Sequence, residues 1–171
     1  MHRLLLVLSL LGLACGDGDS LAVRGDVQFT APGGAEAGGF DFPTTRDLVH
    51  DSVADGSTER FAGHCTVQTD AAGNDRVSVA LERPSAQAVA FQPRRIQLVL
   101  PIAAGEGSVE VDLGGNVFSA TVAGTCNASL DYYIPGDDRD NGLAGTTFDC
   151  VLNGPEGEAR AVGELHFEGC E

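Results

Sequence analysis

From Phe61 to the C-terminus, apolar side chains recur at every second position, and nowhere do they recur at helical spacing. Phe61, Gly63, Cys65 and Val67 alternate with Ala62, His64, Thr66 and Gln68. After the turn DAAGND, Val77, Val79 and Leu81 alternate back. A period of two places one apolar row on one face of a strand, and two such rows around a short Gly/Asn turn predict a hairpin. The pattern repeats in Ile96-Leu98-Leu100, Val109-Val111-Leu113, Val117 to Val122, Cys126 to Ile134, Thr146 to Leu152 and Ala161 to Phe167. Upstream, Leu21, Val23, Val27 and Phe29 alternate with Arg24, Asp26, Gln28 and Thr30. The chain therefore reads as all-β: a single antiparallel β-sandwich or barrel of about 8–9 short strands in one domain over residues 21–171. Residues 31–60 resist this reading. APGGAEAGG reads as punctuation, and Asp47 to Val53 fits a short strand or a helical turn equally. A loop of that length is unusual in a compact domain, so an ordered element is expected within it.

The first 20 residues obey a different rule. His2 and Arg3 precede eleven uncharged residues, Leu4 to Ala14. As a helix that run would span about 16 Å, roughly half the hydrocarbon thickness of a bilayer. It has the length of a secretory leader's apolar region and is short for a transmembrane span. Gly12-Leu13-Ala14 leads directly into Cys15, and the polar stretch Gly-Asp-Gly-Asp-Ser follows. This junction resembles the lipobox of bacterial lipoproteins. The resemblance covers residues 1–20 and departs from the family pattern at Gly12 and Leu13. It implies a signal peptide over 1–14, diacylation of Cys15 as the mature N-terminus, a short tether over 15–20, and membrane attachment through lipid. Gly16 directly after the cysteine, where the inner-membrane retention signal of this class prefers Asp, implies outer-membrane delivery. A secreted soluble protein is the alternative.

The cysteine count fits an exported chain. Of five cysteines, Cys15 falls at the lipobox, leaving Cys65, Cys126, Cys150 and Cys170. An even set in an oxidising compartment pairs as disulfides. Folding the hairpin 126–152 about its PGDDRDNG loop sets Cys126 opposite Cys150, within bridging distance. Cys126–Cys150 is thus expected, with Cys65–Cys170 tying the last strand to an early one. No pair has C-x-x-C spacing, so the cysteines suggest neither a redox motif nor a zinc knuckle.

Composition removes several chemistries. The ten basic residues are all arginine, against 25 carboxylates, for a net charge of −15. Without lysine there is no Schiff base and no phosphate-loop lysine. A body this acidic is repelled by nucleic acid. No G-x-S-x-G elbow occurs, and neighbouring His64 and Cys65 point to opposite faces of a strand. Asp137, Asp138 and Asp140, followed by Asn141 and Gly142, place oxygen ligands as a calcium loop would. Arg139 interrupts the set and Phe148 stands where the twelfth-position Glu belongs, so the segment reads first as a solvated loop. His50, His64 and His166 survive processing, and the latter two fall on outward strand faces, but no H-x-H or H-E-x-x-H spacing links them. Asn127-Ala128-Ser129 matches a glycosylation acceptor, which carries little weight if the lipobox resemblance places the chain in a bacterium.

The expectation is a lipid-anchored extracytoplasmic binding or envelope-structural module, with no cofactor and no enzymatic activity. The alternatives are a small hydrolase using a carboxylate pair and a calcium- or copper-binding domain.

Overall fold

Alternating apolar residues have to hide one face, and among the described residues ten strands do so around one core. The computed structural model describes residues 21–49, 62–83, 93–120, 124–136 and 142–170. The strands are β1 (Leu21–Thr30), β2 (Glu36–Val49), β3 (Ala62–Thr69), β4 (Asp75–Glu82) and β5 (Pro93–Pro101). They continue as β6 (Ser108–Leu113), β7 (Asn116–Ser119), β8 (Cys126–Ile134), β9 (Leu143–Gly154) and β10 (Gly157–Glu168). The all-β, disulfide-stapled fold predicted from the sequence is what forms. The strand beyond the expected eight or nine is β2, which starts at Glu36, inside the glycine-rich run read as punctuation. The tight turn before it is closed by Ala31 N–H to the Ala35 carbonyl at 2.7 Å. Gly39 is required in β2 because a Cβ there would lie 1.9 Å from the Val27 carbonyl oxygen.

The hydrogen-bonded order is β2-β1-β10-β9-β7-β6-β5-β4-β3, with β8 also on β9. All these pairings are antiparallel, as short hairpin connections require. The outer edge of β9 is shared. Residues 143–150 pair with β8, and only Asn153 pairs with β7, through Ser119. This single-residue junction is a corner. It divides the sheet into one half of β2, β1, β10, β9 and β8 and another of β7, β6, β5, β4 and β3.

The inner faces of both halves supply one core. Val27, Phe29, Phe40, Phe148, Leu152, Leu165 and Phe167 come from the first half. Val79, Leu81, Ile96, Leu98, Leu100, Val111 and Phe118 come from the second. Each such side chain contributes about 1.5–3 kcal/mol by leaving water. Phe29 and Phe40 meet edge to face at 5.5 Å. Where the core would otherwise be too thick, glycine gives way. Phe118 lies over Gly154, and Phe148 over Gly163; added Cβ atoms would sit 2.3 and 2.8 Å from these rings.

Two ties draw the ends of the sheet together. Cys65 on β3 is bonded to Cys170 just after β10, Cα to Cα 4.5 Å, and the two residues form an isolated parallel bridge. Arg83, just past β4, donates from Nη2 to the Gly39 carbonyl on β2 at 2.7 Å, with its guanidinium 4.8 Å above the Phe40 ring. The second disulfide, Cys126–Cys150, joins directly facing residues of β8 and β9 at a Cα separation of 3.9 Å. Both pairs are those expected, Cys126–Cys150 from the hairpin argument and Cys65–Cys170 as the pair that it leaves.

One expected face is reversed. Alternation from Cys126 predicts Tyr132 and Ile134 on the same side as Leu130, but the register slips by one between Leu130 and Tyr132. The extra residue, Asp131, is a bulge, and a one-residue slip sends every later side chain to the other face. Tyr133 therefore packs against the core, while Tyr132 and Ile134 stand outside, 37% and 54% exposed. Beside the bulge, fully buried Thr146 donates its hydroxyl to the Ser129 carbonyl at 2.7 Å, which satisfies both groups.

Candidate functional site: a tyrosine–histidine–glutamate chain on the outer sheet face

The bulge places Tyr132 at the end of a row that crosses four strands: Tyr132 on β8, Gly145 on β9, His166 on β10 and Arg24 on β1. A tyrosine can lie flat across this row only because Gly145 has no side chain. A Cβ there would be 2.3 Å from Tyr132 Cε1. Lying over Gly145, the phenol reaches the next strand, where Tyr132 Oη is 3.0 Å from His166 Nδ1. The two rings stack at 5.9 Å with an interplanar angle of 23°. On the far side, His166 Nε2 is 3.0 Å from Glu164 Oε1. Glu164 and His166 are two apart on β10, so alternation points both outward.

Hydrogen-bonding capacity fixes the direction of this chain. A carboxylate only accepts, so Nε2 carries the hydrogen that faces Glu164. When the imidazole is neutral, Nδ1 has the lone pair and the Tyr132 hydroxyl donates to it. The arrangement is a hydroxyl, a base within reach of its proton, and an acid group that orients the base.

The chain separates two depressions on the same face. The smaller, about 170 Å³, is lined by Arg24, Tyr132, His166 and Glu168 over the apolar Ala22 and Leu143. Arg24 is exposed and has no ion-pair partner among the described residues. The larger, about 420 Å³ and more open, runs along Asp26, Gln28, Asn127, Thr147, Asp149 and Glu164, with Val162 exposed at its floor. At its rim Arg160 grips Asp149 through both Nε and Nη2. The hydrogen bond and charge of Arg160 hold the Asp149 carboxyl below its usual range and raise the guanidinium in turn. Asp41, Asp26 and Glu164 are consecutive cross-strand neighbours on β2, β1 and β10, so three carboxylates stand side by side.

The residues singled out in the sequence are distributed unevenly around this face. Cys15, His50, Asp137, Asp138 and Asp140 lie outside the described residues. His64 is exposed on β3, in the other half, while both ring nitrogens of His166 are occupied by Tyr132 and Glu164. Asn127 borders the larger depression. Among the described residues no three His, Cys, Asp or Glu side chains are grouped to hold a metal ion. Tyr132, Glu164 and Arg24 were not singled out. The E-x-H spacing of Glu164 and His166 was the one available signal, since it puts an acid beside an outward imidazole. No protein-family model, curated protein or solved structure matches this chain.

Proposed function

We propose that this chain is exported, cut before Cys15 and held at a membrane by lipid on that residue, where its β domain serves as a binding or envelope-structural module. The observation that carries the reading is the cysteine ledger. Cys65, Cys126, Cys150 and Cys170 are consumed in two bridges, so Cys15 is the one thiol left over, and it stands at the end of the apolar leader. Two disulfides suit an oxidising compartment outside the cytoplasm. The ligand-facing surface in this reading is the outer face of β8, β9, β10 and β1, with its paired depressions and exposed Tyr132, Ile134 and Val162. The net charge of −15 disfavours nucleic acid as the ligand. Gly16 after the lipidated residue favours delivery to an outer membrane.

Mass spectrometry of the protein from its native membranes tests this directly. The expected N-terminus is Cys15 carrying fatty acyl chains, with both disulfides intact. Replacing Cys15→Ser should move the protein from the membrane fraction to the soluble one. An unmodified leader on a water-soluble product would overturn the reading.

A further inference from the structure

We propose that Tyr132 is a base-activated nucleophile toward small, singly charged phosphodiesters. This inference goes beyond the anchored-module reading and rests on none of its parts. Three observations converge on it. Tyr132 Oη lies 3.0 Å from His166 Nδ1, and His166 Nε2 lies 3.0 Å from Glu164 Oε1. Tyr132 remains 37% exposed and lines the smaller depression. Arg24, the direct cross-strand neighbour of His166, lines the same depression with its guanidinium unpaired among the described residues.

The class of reactant follows from charge. A guanidinium presents a planar fork of donors that matches two phosphate oxygens. Glu168 lines the same depression, and Glu164 stands on the far side of His166 from it; both oppose anions. A phosphomonoester carries about −1.5 to −2 near neutrality and meets that repulsion almost twice over, whereas a diester carries a single charge that one arginine offsets. Polyanionic nucleic acid is disfavoured by the acidic body as a whole. A depression of about 170 Å³ also suits a small group.

The step balances within these residues. Tyr132 Oη attacks phosphorus, and its proton passes to His166 Nδ1, leaving an imidazolium held by Glu164. The bond from phosphorus to the leaving alkoxide or aryloxide breaks with its electron pair, and a tyrosyl phosphodiester remains on Tyr132. Glu164 is a positioning residue: it keeps the hydrogen on Nε2 so that Nδ1 is free to accept.

The test uses the purified mature protein with bis(p-nitrophenyl) phosphate, reading nitrophenolate release and the adduct by peptide mass spectrometry. One adduct per chain on Tyr132, released in step with nitrophenolate, is expected. Tyr132→Phe, a change that keeps the ring over Gly145, should abolish it. His166→Gln should slow it by about 10²-fold or more, the usual contribution of a general base. Arg24→Gln should weaken diester saturation about ten-fold, as expected when a hydrogen bond to a charged group is lost. In Glu164→Gln the new amide can donate to Nε2, so the ring nitrogen chemical shifts should report the hydrogen moved to Nδ1 together with loss of adduct. The dianion p-nitrophenyl phosphate and neutral p-nitrophenyl acetate serve as comparators. Tyr132 labelling by the acetate alone would overturn the phosphodiester class. Equal release by a Tyr132→Phe protein whose circular dichroism matches the parent, or no adduct on Tyr132 of the parent protein itself, would overturn the nucleophile.

Discussion

The two halves of the sheet bury their inner faces by the same alternation yet treat their outer faces in opposite ways. Strands β3 to β7 carry four carboxylates and three arginines, and the pairs meet: Arg95 with Glu110 at 2.9 Å and Arg94 with Asp112 at 4.0 Å. Strands β1, β2, β8, β9 and β10 carry nine carboxylates and three arginines, with Asp41, Asp26 and Glu164 set side by side. Like charges directly opposite one another weaken a sheet, so this half does not spend its surface on stability. It also holds the bulge, the tyrosine–histidine–glutamate chain and both depressions. Folding constrains the inner face alone, which leaves the outer face of one half free to be a solvated cover and that of the other to carry chemistry.

Removing bridges is the strongest way to challenge that division. The Cys65–Cys170 bond closes 105 residues and ties β3 to the end of β10 across the two halves. Cys65→Ser with Cys170→Ser should cost about 4–5 kcal/mol in urea unfolding through regained unfolded-state entropy. The Cys126–Cys150 bond closes only 24 residues within the acidic half. Its double serine variant should cost about 3 kcal/mol. A larger loss from the shorter bridge would mean that the acidic half depends on its cross-link more than the chain-entropy argument allows.

A finer test separates the site from the scaffold beneath it. Gly145→Ala pushes a methyl into the Tyr132 ring. The ring can swing into solvent, so stability should fall by about 1 kcal/mol, the low end for an overpacked position. The Tyr132–His166 bond should break, visible as a changed His166 ring environment by NMR. A variant that keeps this bond would show that the glycine does not set the tyrosine's path.

Charge pairs should matter least. Glu110→Gln in one half and Asp149→Asn in the other remove half-exposed ion pairs, and each should leave the urea midpoint within error, as solvent-screened surface pairs do. A clear loss from Asp149→Asn alone would mark the acidic half as electrostatically organised. Acid gives the smallest and most local effect. Backbone hydrogen bonds from Asn74, with further bonds from the Asn74 side chain, the Ala72 N–H and Arg76, lower the Asp70 carboxyl from 3.8 to about 2. A depressed carboxylate stabilises above its unfolded value and loses that contribution as pH falls through the folded one. The turn between β3 and β4 should therefore keep its Ala72 and Asn74 amide shifts down to about pH 2. Loss of those shifts already near 3.8 would show that the bonds do not hold the carboxylate.

The sequence carried nine of the strands, their inward residues apart from the end of β8, and both bridges. Alternation reports burial directly, and a hairpin's register follows from its loop, which is how Cys126 could be set against Cys150. It did not place β2, because Gly39 interrupts alternation where its backbone approaches that of Val27, and glycine there reads as a turn. Nor did it carry the site. Tyr132 and Arg24 meet His166 only through lateral pairing of four strands, and the partners Tyr132 and His166 are 34 residues apart. The decisive step is the bulge at Asp131, which has no signature in the local pattern and reverses the face of the β8 residues after it. Burial is a property each residue declares through its own hydropathy, so the amino-acid order settles the core. The meeting of polar side chains depends on register between distant strands, a quantity that exists only once the sheet has formed.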